Sequence, residues 1–166
     1  MTHADLVHRA EKWLINSRGC GFVFTELVAC TANGETPDAI GWKQGISTLV
    51  ECKASRADFL ADKKKSFRKD PESGIGRWRY YLTLPGMINP EDLPPGWGLL
   101  YCRPKRIDRV VDPMKGNCFY YNPPFKSSFQ SEIDLLCSAV RRIHIRGDLY
   151  KIYEPLTNFP KEKKQP

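Results

Sequence analysis

The stretch ETPDAIGWKQGISTLVECKASRADF, residues 35–59, decides the fold of this chain. It opens as a turn and continues as two apolar segments, near 38–43 and 47–54, on either side of the sequence KQG. Short segments rich in β-branched and apolar residues that flank a glycine-containing turn are typical of a β-hairpin. The stretch therefore predicts two antiparallel strands, followed from Ser55 by a capped helix.

The polar residues of this hairpin are predicted to converge. Side chains alternate along a strand, so Leu49, Glu51 and Lys53 share one face while Cys52 enters the core on the other. Asp38 begins the neighbouring strand and can lie beside Glu51. Two carboxylates so placed repel each other unless a cation lies between them, and hard divalent cations prefer oxygen ligands. Asp38 and Glu51 are therefore predicted to share a divalent metal ion.

Lys53 is predicted to act beside this metal. It emerges about 7 Å from Glu51 along the strand and supplies a positive charge, or a proton donor or acceptor, near a metal-bound water. A metal that lowers the pKa of water suits attack on a phosphodiester. The alternative is an ordinary ion pair, since Glu-x-Lys recurs at 162–164 and Pro-Asp is a common turn dipeptide. The placement of both on one hairpin, between two helices, favours the catalytic interpretation.

Further helices and strands are predicted around the hairpin. Their order, helix–strand–strand–strand–helix–strand, predicts an α/β or α+β fold in which helices cover a central sheet. One domain over residues 1–160 and a disordered basic tail over 161–166 are expected. The other predicted elements are helices over 2–17, 55 to about 68 and 131–143, strands over 22–30 and 77–84, and short strands in WGLLYCR, RIDRVVD and NCFYYN.

Composition restricts the partners of the chain. Its 166 residues carry 26 Lys and Arg against 19 Asp and Glu, a net charge of +7 that favours polyanions, nucleic acid first. The six cysteines are scattered without a CxxC pair, and three histidines are too few for a zinc ribbon or finger. No run approaches the roughly 18 apolar residues of a membrane span. A cytoplasmic protein with reduced cysteines and no membrane partner is predicted.

The motif PDAIG…STLVECK, followed by ASRADFLADKKKSFR, resembles the PD-(D/E)XK nuclease superfamily. In particular it resembles small bacterial and phage members in which an acidic-x-Lys strand leads into a Ser-Arg-x-Asp-Phe helix. The resemblance covers roughly residues 5–85. It implies a restriction-endonuclease-like αβββαβ core with a central mixed sheet flanked by helices, to which C-terminal strands and a helix are added. It also implies a requirement for Mg²⁺ or Mn²⁺ and cleavage of DNA to leave a 5′-phosphate.

The resemblance also implies roles for individual residues. By position it assigns the two acidic residues of the motif, its lysine and a backbone carbonyl ligand to Asp38, Glu51, Lys53 and Cys52. Many members keep one more acid upstream, and two residues compete for that place. Glu26, in FTEL near the end of the first strand, is favoured as a catalytic and metal-binding residue, with Glu11 on the first helix as the alternative.

Nucleic-acid contacts are predicted on both sides of the motif. Residues 56–70 hold six basic residues against three acids, and a continuous helix would direct Lys64, Lys65 and Arg68 outward toward a phosphate backbone. Arg77 and Arg79 share the predicted outward face of the next strand and would extend a positively charged groove. A solvated helix face is the alternative interpretation.

The sequence thus predicts a metal-dependent endo- or exodeoxyribonuclease, in repair, recombination, restriction or phage DNA metabolism. The alternative is a non-catalytic nucleic-acid-binding protein with the same fold. The sequence leaves open the form of the substrate, including RNA, and whether the protein acts as a homodimer, as many members of the superfamily do.

Overall fold

One mixed β-sheet forms the centre of the structure, a computed structural model that describes residues 1–114 and 122–155. Its six strands in chain order are β1 (Phe22–Thr25), β2 (Ala39–Lys43), β3 (Ile46–Lys53), β4 (Trp78–Thr83), β5 (Gly98–Cys102) and β6 (Ile107–Val111). They lie in the sheet in that same order. Strands β3, β4 and β5 are parallel to one another, and the remaining neighbours pair antiparallel.

Helices flank this sheet, which confirms the predicted α+β fold. They are α1 (His3–Asn16), α2 (Arg56–Asp62), α3 (Ser66–Lys69) and α4 (Phe129–Ile145). The order α1-β1-β2-β3-α2-β4, with the short α3 between α2 and β4, matches the predicted αβββαβ order, and β5, β6 and α4 follow it. Of the remaining predictions, nearly all of the strand in NCFYYN and the whole tail over 161–166 lie outside the described residues.

The β2–β3 hairpin has the geometry that its sequence predicts. Gln44 and Gly45 form its turn with φ of 48° and 79°, and Lys43 pairs with Ile46 across it. Two consecutive left-handed residues are the pattern of a two-residue type I′ turn, whose twist matches that of the strands. The turn fixes the register of the hairpin, and the register fixes which side chains meet at its open end.

The first strand is shorter than predicted, and its end matters for the site. β1 stops at Thr25 because Glu26 adopts a left-handed φ of 47° and turns the chain away. The backbone N–H of Glu26 still donates to the carbonyl of Asp38 at 3.1 Å. This bond keeps the loop after β1 next to the start of β2.

Both faces of the sheet are buried, as expected where parallel strands lie at the centre. Helix α1 covers one face, on which Val50, Cys52 and Tyr80 are buried. Leu49 and Tyr81 point to the opposite face, where α2, α4 and the loops after β4 pack. The predicted alternation along β3 is therefore confirmed. Within the described ranges, no helix is long and apolar enough to cross a membrane.

Candidate active site

A cavity of about 260 Å³ lies where β3 ends and β2 begins. It receives side chains from the first turn of α1, from the residue before β2, from β3, from α2 and from the segment that follows α2. Its lining comprises His3, Asp38, Glu51, Cys52, Lys53, Asp58, Ala61, Asp62 and Lys65. The structure therefore brings the three predicted motif residues Asp38, Glu51 and Lys53 to one cavity.

Asp38 lies beside Glu51, as the hairpin register predicts. Ala39 pairs with Val50, so the residue before Ala39 faces Glu51. Asp38 Oδ2 accepts a hydrogen bond from the Cys52 N–H at 2.7 Å, while Oδ1 lies 3.5 Å from His3 Nε2. Burial, and next the negative charge of Glu51, raise the pKa of Asp38 to about 6. The two acids therefore repel each other at neutral pH.

Glu51 and Lys53 share one face of β3 and are almost fully buried. Lys53 Nζ lies 2.9 Å from Glu51 Oε2 and 3.4 Å from Asp62 Oδ1. Burial works against the charged form of Lys53, but the carboxylates of Glu51, Asp62 and Asp38 outweigh it and raise the pKa of Lys53. The ammonium is therefore protonated at neutral pH. Lys53 is suited to act as a fixed cation or proton donor, not as a base.

Arg68 points inward, so its predicted outward position is wrong. Its side chain is 2% exposed, with Nε 2.9 Å from Asp62 Oδ2 and Nη2 3.1 Å from Glu51 Oε1. A third contact joins Nη1 to Glu35. The reason is a break in the predicted helix: α2 ends at Asp62, and Lys65, with ψ of 145°, leaves helical geometry before α3 begins. The helical phase restarts there, and Arg68 turns into the protein.

Aromatic rings enclose this ion cluster. The Tyr81 hydroxyl donates to Asp62 Oδ2 at 2.8 Å, and the Trp97 ring stacks on Tyr81 with centroids 4.3 Å apart. Trp97 also lies 4.9 Å from the guanidinium carbon of Arg68, within the range of a cation–π contact. The charges of Glu51, Asp62 and Arg68 are thus shielded from water on the side away from the cavity.

The structure also contradicts the predicted role of Arg79 in binding nucleic acid. Arg79 is fully buried, donates to the carbonyls of Pro71, Gly74 and Gly76, and lies 4.0 Å from the Phe125 ring. Burial lowers its pKa to about 10. Arg79 therefore stabilises the loop before β4 through hydrogen bonds to its buried carbonyl groups.

The other predicted nucleic-acid contacts remain predictions. Lys64 is exposed and Arg77 half-buried, and Lys65, 46% exposed at the rim of the cavity, pairs with Asp62 Oδ1 at 3.0 Å. Of these residues, Lys65 is the one whose charge reaches the cavity itself.

The two candidates for an upstream acid lie in different places. Glu26 Oε1 is 3.5 Å from His3 Nε2, the same nitrogen that approaches Asp38, but its side chain is 58% exposed. Glu11 pairs with His8 at 3.6 Å, about two turns of α1 away from His3. The structure thus places Glu26 beside His3, a lining residue of the cavity, and Glu11 away from it.

Three residues of the site were not predicted from the sequence. Asp62 carried a usable signal, because it lies three positions after Phe59 and so shares the inward face of α2. His3 lies in the first turn of a predicted helix, where nothing marks it as a site residue. Glu35 belongs to the turn sequence NGETP, yet it is 1% exposed and accepts from Arg68 and from the Ile75 N–H. Its burial depends on residues distant in sequence.

The oxygen donors of the site fit a hard divalent cation. Glu51 Oε1 is buried and makes no hydrogen bond of regular geometry, and its nearest cation is Arg68 Nη2 at 3.1 Å. Asp38 Oδ1 lies 3.5 Å from His3 Nε2, and both residues line the cavity. The resemblance to the nuclease superfamily predicts the backbone carbonyl of Cys52 as a third oxygen ligand. Carboxylate and carbonyl oxygens are the ligands that Mg²⁺ and Mn²⁺ prefer. Over residues 1–114 and 122–155, no group of three His, Cys, Asp or Glu side chains is assembled for a metal. Asp38 and Glu51 would supply two carboxylate ligands to a cation, and the role of Glu26 as a further ligand stays a prediction.

Asp38→Asn is expected to change the pH dependence of stability in metal-free buffer. Because the folded protein holds the pKa of Asp38 at about 6, against an ordinary 3.8, this group stabilises the fold below about pH 4 and loses that contribution as pH rises through 6. The asparagine does not titrate. The unfolding free energy of the variant minus that of the wild type should thus be about 2–3 kcal/mol larger at pH 8 than at pH 4. Urea unfolding of both proteins in the presence of EDTA measures this difference. The prediction would be contradicted if the unfolding free energies of the two proteins changed in parallel with pH.

Comparisons with known proteins give one likeness of fold. No protein-family model matches the sequence, and no curated protein matches it either. Among solved structures, the chain is similar to the SPO1766 protein of unknown function from Silicibacter pomeroyi. The two share 20% identity over 95% of this chain and 99% of that chain, with a TM-score of 0.58. At this identity the likeness shows the fold.

Proposed function

We propose that the protein is a Mg²⁺- or Mn²⁺-dependent nuclease of the PD-(D/E)XK type that hydrolyses phosphodiester bonds in DNA. One observation carries the proposal: Asp38, Glu51 and Lys53 meet at one cavity of an αβββαβ fold. When bound, the divalent ion supplies a water of lowered pKa and charge compensation for the phosphate. A DNA substrate would place the protein in the cytoplasm, where its cysteines stay reduced.

The residues of the cavity suit a phosphate. Its lining places Lys53 and Lys65 beside the carboxylates of Asp38 and Glu51, and ammonium groups bind phosphate oxygens through charge-assisted hydrogen bonds. Lys53 keeps its ammonium at the cavity wall and can hold a non-bridging oxygen or protonate the leaving oxygen. Asp38 and Glu51 would hold the cation, and the Cys52 N–H fixes the orientation of Asp38.

A second candidate is a non-catalytic nucleic-acid-binding protein. It is favoured by the ion pairs of Glu51, whose carboxylate already lies 2.9 Å from Lys53 and 3.1 Å from Arg68. Because these two cations already compensate the charge of Glu51, they lower its affinity for a metal ion. The two candidates make opposite predictions for Mn²⁺ binding.

Calorimetric titration with Mn²⁺ and a nuclease assay separate them. The wild-type protein is expected to bind Mn²⁺, and Asp38→Asn and Glu51→Gln to lose at least about tenfold in affinity, because each removes one of two anionic ligands. Labelled linear, circular, flap and four-way DNA should be cut with Mn²⁺ and not with EDTA. Asp134→Asn, a carboxylate on α4 that accepts from the Ala32 N–H, serves as the control. Equal Mn²⁺ affinity in all four proteins would refute the site.

A further inference from the structure

Asp62 is a third buried carboxylate on the wall of the cavity, at the end of α2. Its side chain is 1% exposed. Oδ2 accepts from Arg68 Nε at 2.9 Å and from the Tyr81 hydroxyl at 2.8 Å. These two bonds come from different elements of the fold, and together they fix the orientation of the carboxylate.

The second oxygen, Asp62 Oδ1, faces two ammonium groups that line the cavity. Lys65 Nζ lies 3.0 Å from it and Lys53 Nζ 3.4 Å. Both ammonium groups are within ion-pair distance of Oδ1, so the charge of the carboxylate holds the two lysines beside it. Two ammonium groups so close to one oxygen repel each other, and the carboxylate offsets that repulsion.

We propose that Asp62 is a positioning residue that holds Lys53 and Lys65 as a pair of ammonium groups for one phosphate group of the substrate. The inference rests on the proposed phosphodiester chemistry and adds two assignments to it. Lys65 contacts the phosphate from the rim of the cavity, and the buried Lys53 contacts it from the wall. Asp62 does not touch the substrate, and it acts by fixing where the two cations stand.

A purely structural role for Asp62 makes the opposite prediction for anion binding. A negative charge near a phosphate weakens its binding by Coulomb repulsion, so neutralising that charge should strengthen phosphate binding if nothing else changes. If Asp62 positions the lysines, its neutralisation should weaken phosphate binding, because the two ammonium groups separate. The direction of the change therefore distinguishes the two roles.

Asp62→Asn keeps the size and the acceptor oxygen of the side chain and removes its charge. Asp58→Asn is the matched control, since Asp58 lines the same cavity but is exposed on the first turn of α2. The probe is inorganic phosphate, titrated by calorimetry at fixed ionic strength in the presence of Mg²⁺. Asp62→Asn should bind phosphate about tenfold more weakly than the wild type. Asp58→Asn should bind it equally or more tightly. Phosphate binding by Asp62→Asn that equals or exceeds the wild type overturns the proposal.

Lys65→Gln tests the same pair if Asp62→Asn does not fold. Lys65 is 46% exposed, and Arg68 still pairs with Asp62 when Lys65 is replaced, so the variant is expected to fold. The variant should lose on the order of fivefold to tenfold in phosphate affinity, while its affinity for Mn²⁺ without phosphate stays within about twofold. Unchanged phosphate affinity, or no phosphate binding by the wild type, overturns the inference.

The nuclease assay keeps the two proposals apart. A wild-type protein that binds phosphate as described but cuts no DNA refutes the nuclease and supports the lysine pair. A wild-type protein that cuts DNA while Lys65→Gln binds phosphate and cuts like the wild type supports the nuclease and refutes the pair.

Discussion

Replacing Arg68 by methionine is expected to lower the free energy of unfolding by about 3–5 kcal/mol at pH 7. The guanidinium contacts Glu35, Glu51 and Asp62, whose side chains are at most 2% exposed. Methionine fills much of the same volume but leaves these carboxylates with fewer cations. The cost is the desolvation of charges that have lost their partner, not the loss of one surface ion pair.

The matched control for this variant is Arg56→Met. Arg56 also pairs with a carboxylate, Asp92, at 2.7 Å, but its side chain is 50% exposed. Removal of an exposed pair costs at most about 1 kcal/mol. Urea unfolding of both variants measures the two losses in unfolding free energy. A loss for Arg68→Met as small as that for Arg56→Met would show that the ion pairs of Arg68 with Glu35, Glu51 and Asp62 do not stabilise the fold more than an exposed pair does.

The cost of Arg68→Met should also depend on pH. Burial alone would raise the pKa of Asp62, but Arg68 and Lys53 outweigh it and hold that pKa well below its ordinary value. A carboxylate with a depressed pKa stabilises the fold above its unfolded pKa of about 4 and loses this contribution as the solution becomes more acidic. The difference between wild type and variant should therefore be full above about pH 5 and shrink toward pH 3.

The hairpin shows how much of the site was predictable. Turn residues and alternation are local properties, so Asp38, Glu51 and Lys53 could be placed together from the sequence alone. The core side of Cys52 followed from the same local rules and was confirmed. Whether these residues act on a metal and a phosphate remains a prediction.

The wrong positions of Arg68 and Arg79 have two different causes. For Arg68 the helical period was continued past Asp62, where α2 ends, and across the extended Lys65, after which α3 begins. No glycine or proline marks that break, so the pattern of the residues gave no warning of it. For Arg79 the strand was assumed to have a solvent face, whereas Phe125 and α4, far along the chain, cover it. Long-range packing of this kind is not contained in a local pattern.

Replacing Lys53 by methionine is expected to slow single-turnover DNA cleavage by about a hundredfold or more, with Mn²⁺ affinity nearly unchanged. Lys53 is the buried cation of the cavity, and its ammonium is held by Glu51 and Asp62. When a cation occupies Glu51, Asp62 remains as an acceptor for Lys53, so the ammonium can stay at the cavity wall and meet the phosphate. Methionine keeps the packing against β4 but supplies neither charge nor proton.

The fold should tolerate this change better than the loss of Arg68. Arg68 contacts both carboxylates that Lys53 contacts, so neither is left without a cation in Lys53→Met. Lys53→Arg should restore charge but not full activity, because a planar guanidinium needs different room from an ammonium and is a poorer proton donor. Mn²⁺ titration, DNA binding and single-turnover cleavage of wild type, Lys53→Met and Lys53→Arg decide the matter together. If Lys53→Met cuts DNA at the wild-type rate while it is folded and binds Mn²⁺, the cleavage does not come from the cavity of Asp38, Glu51 and Lys53.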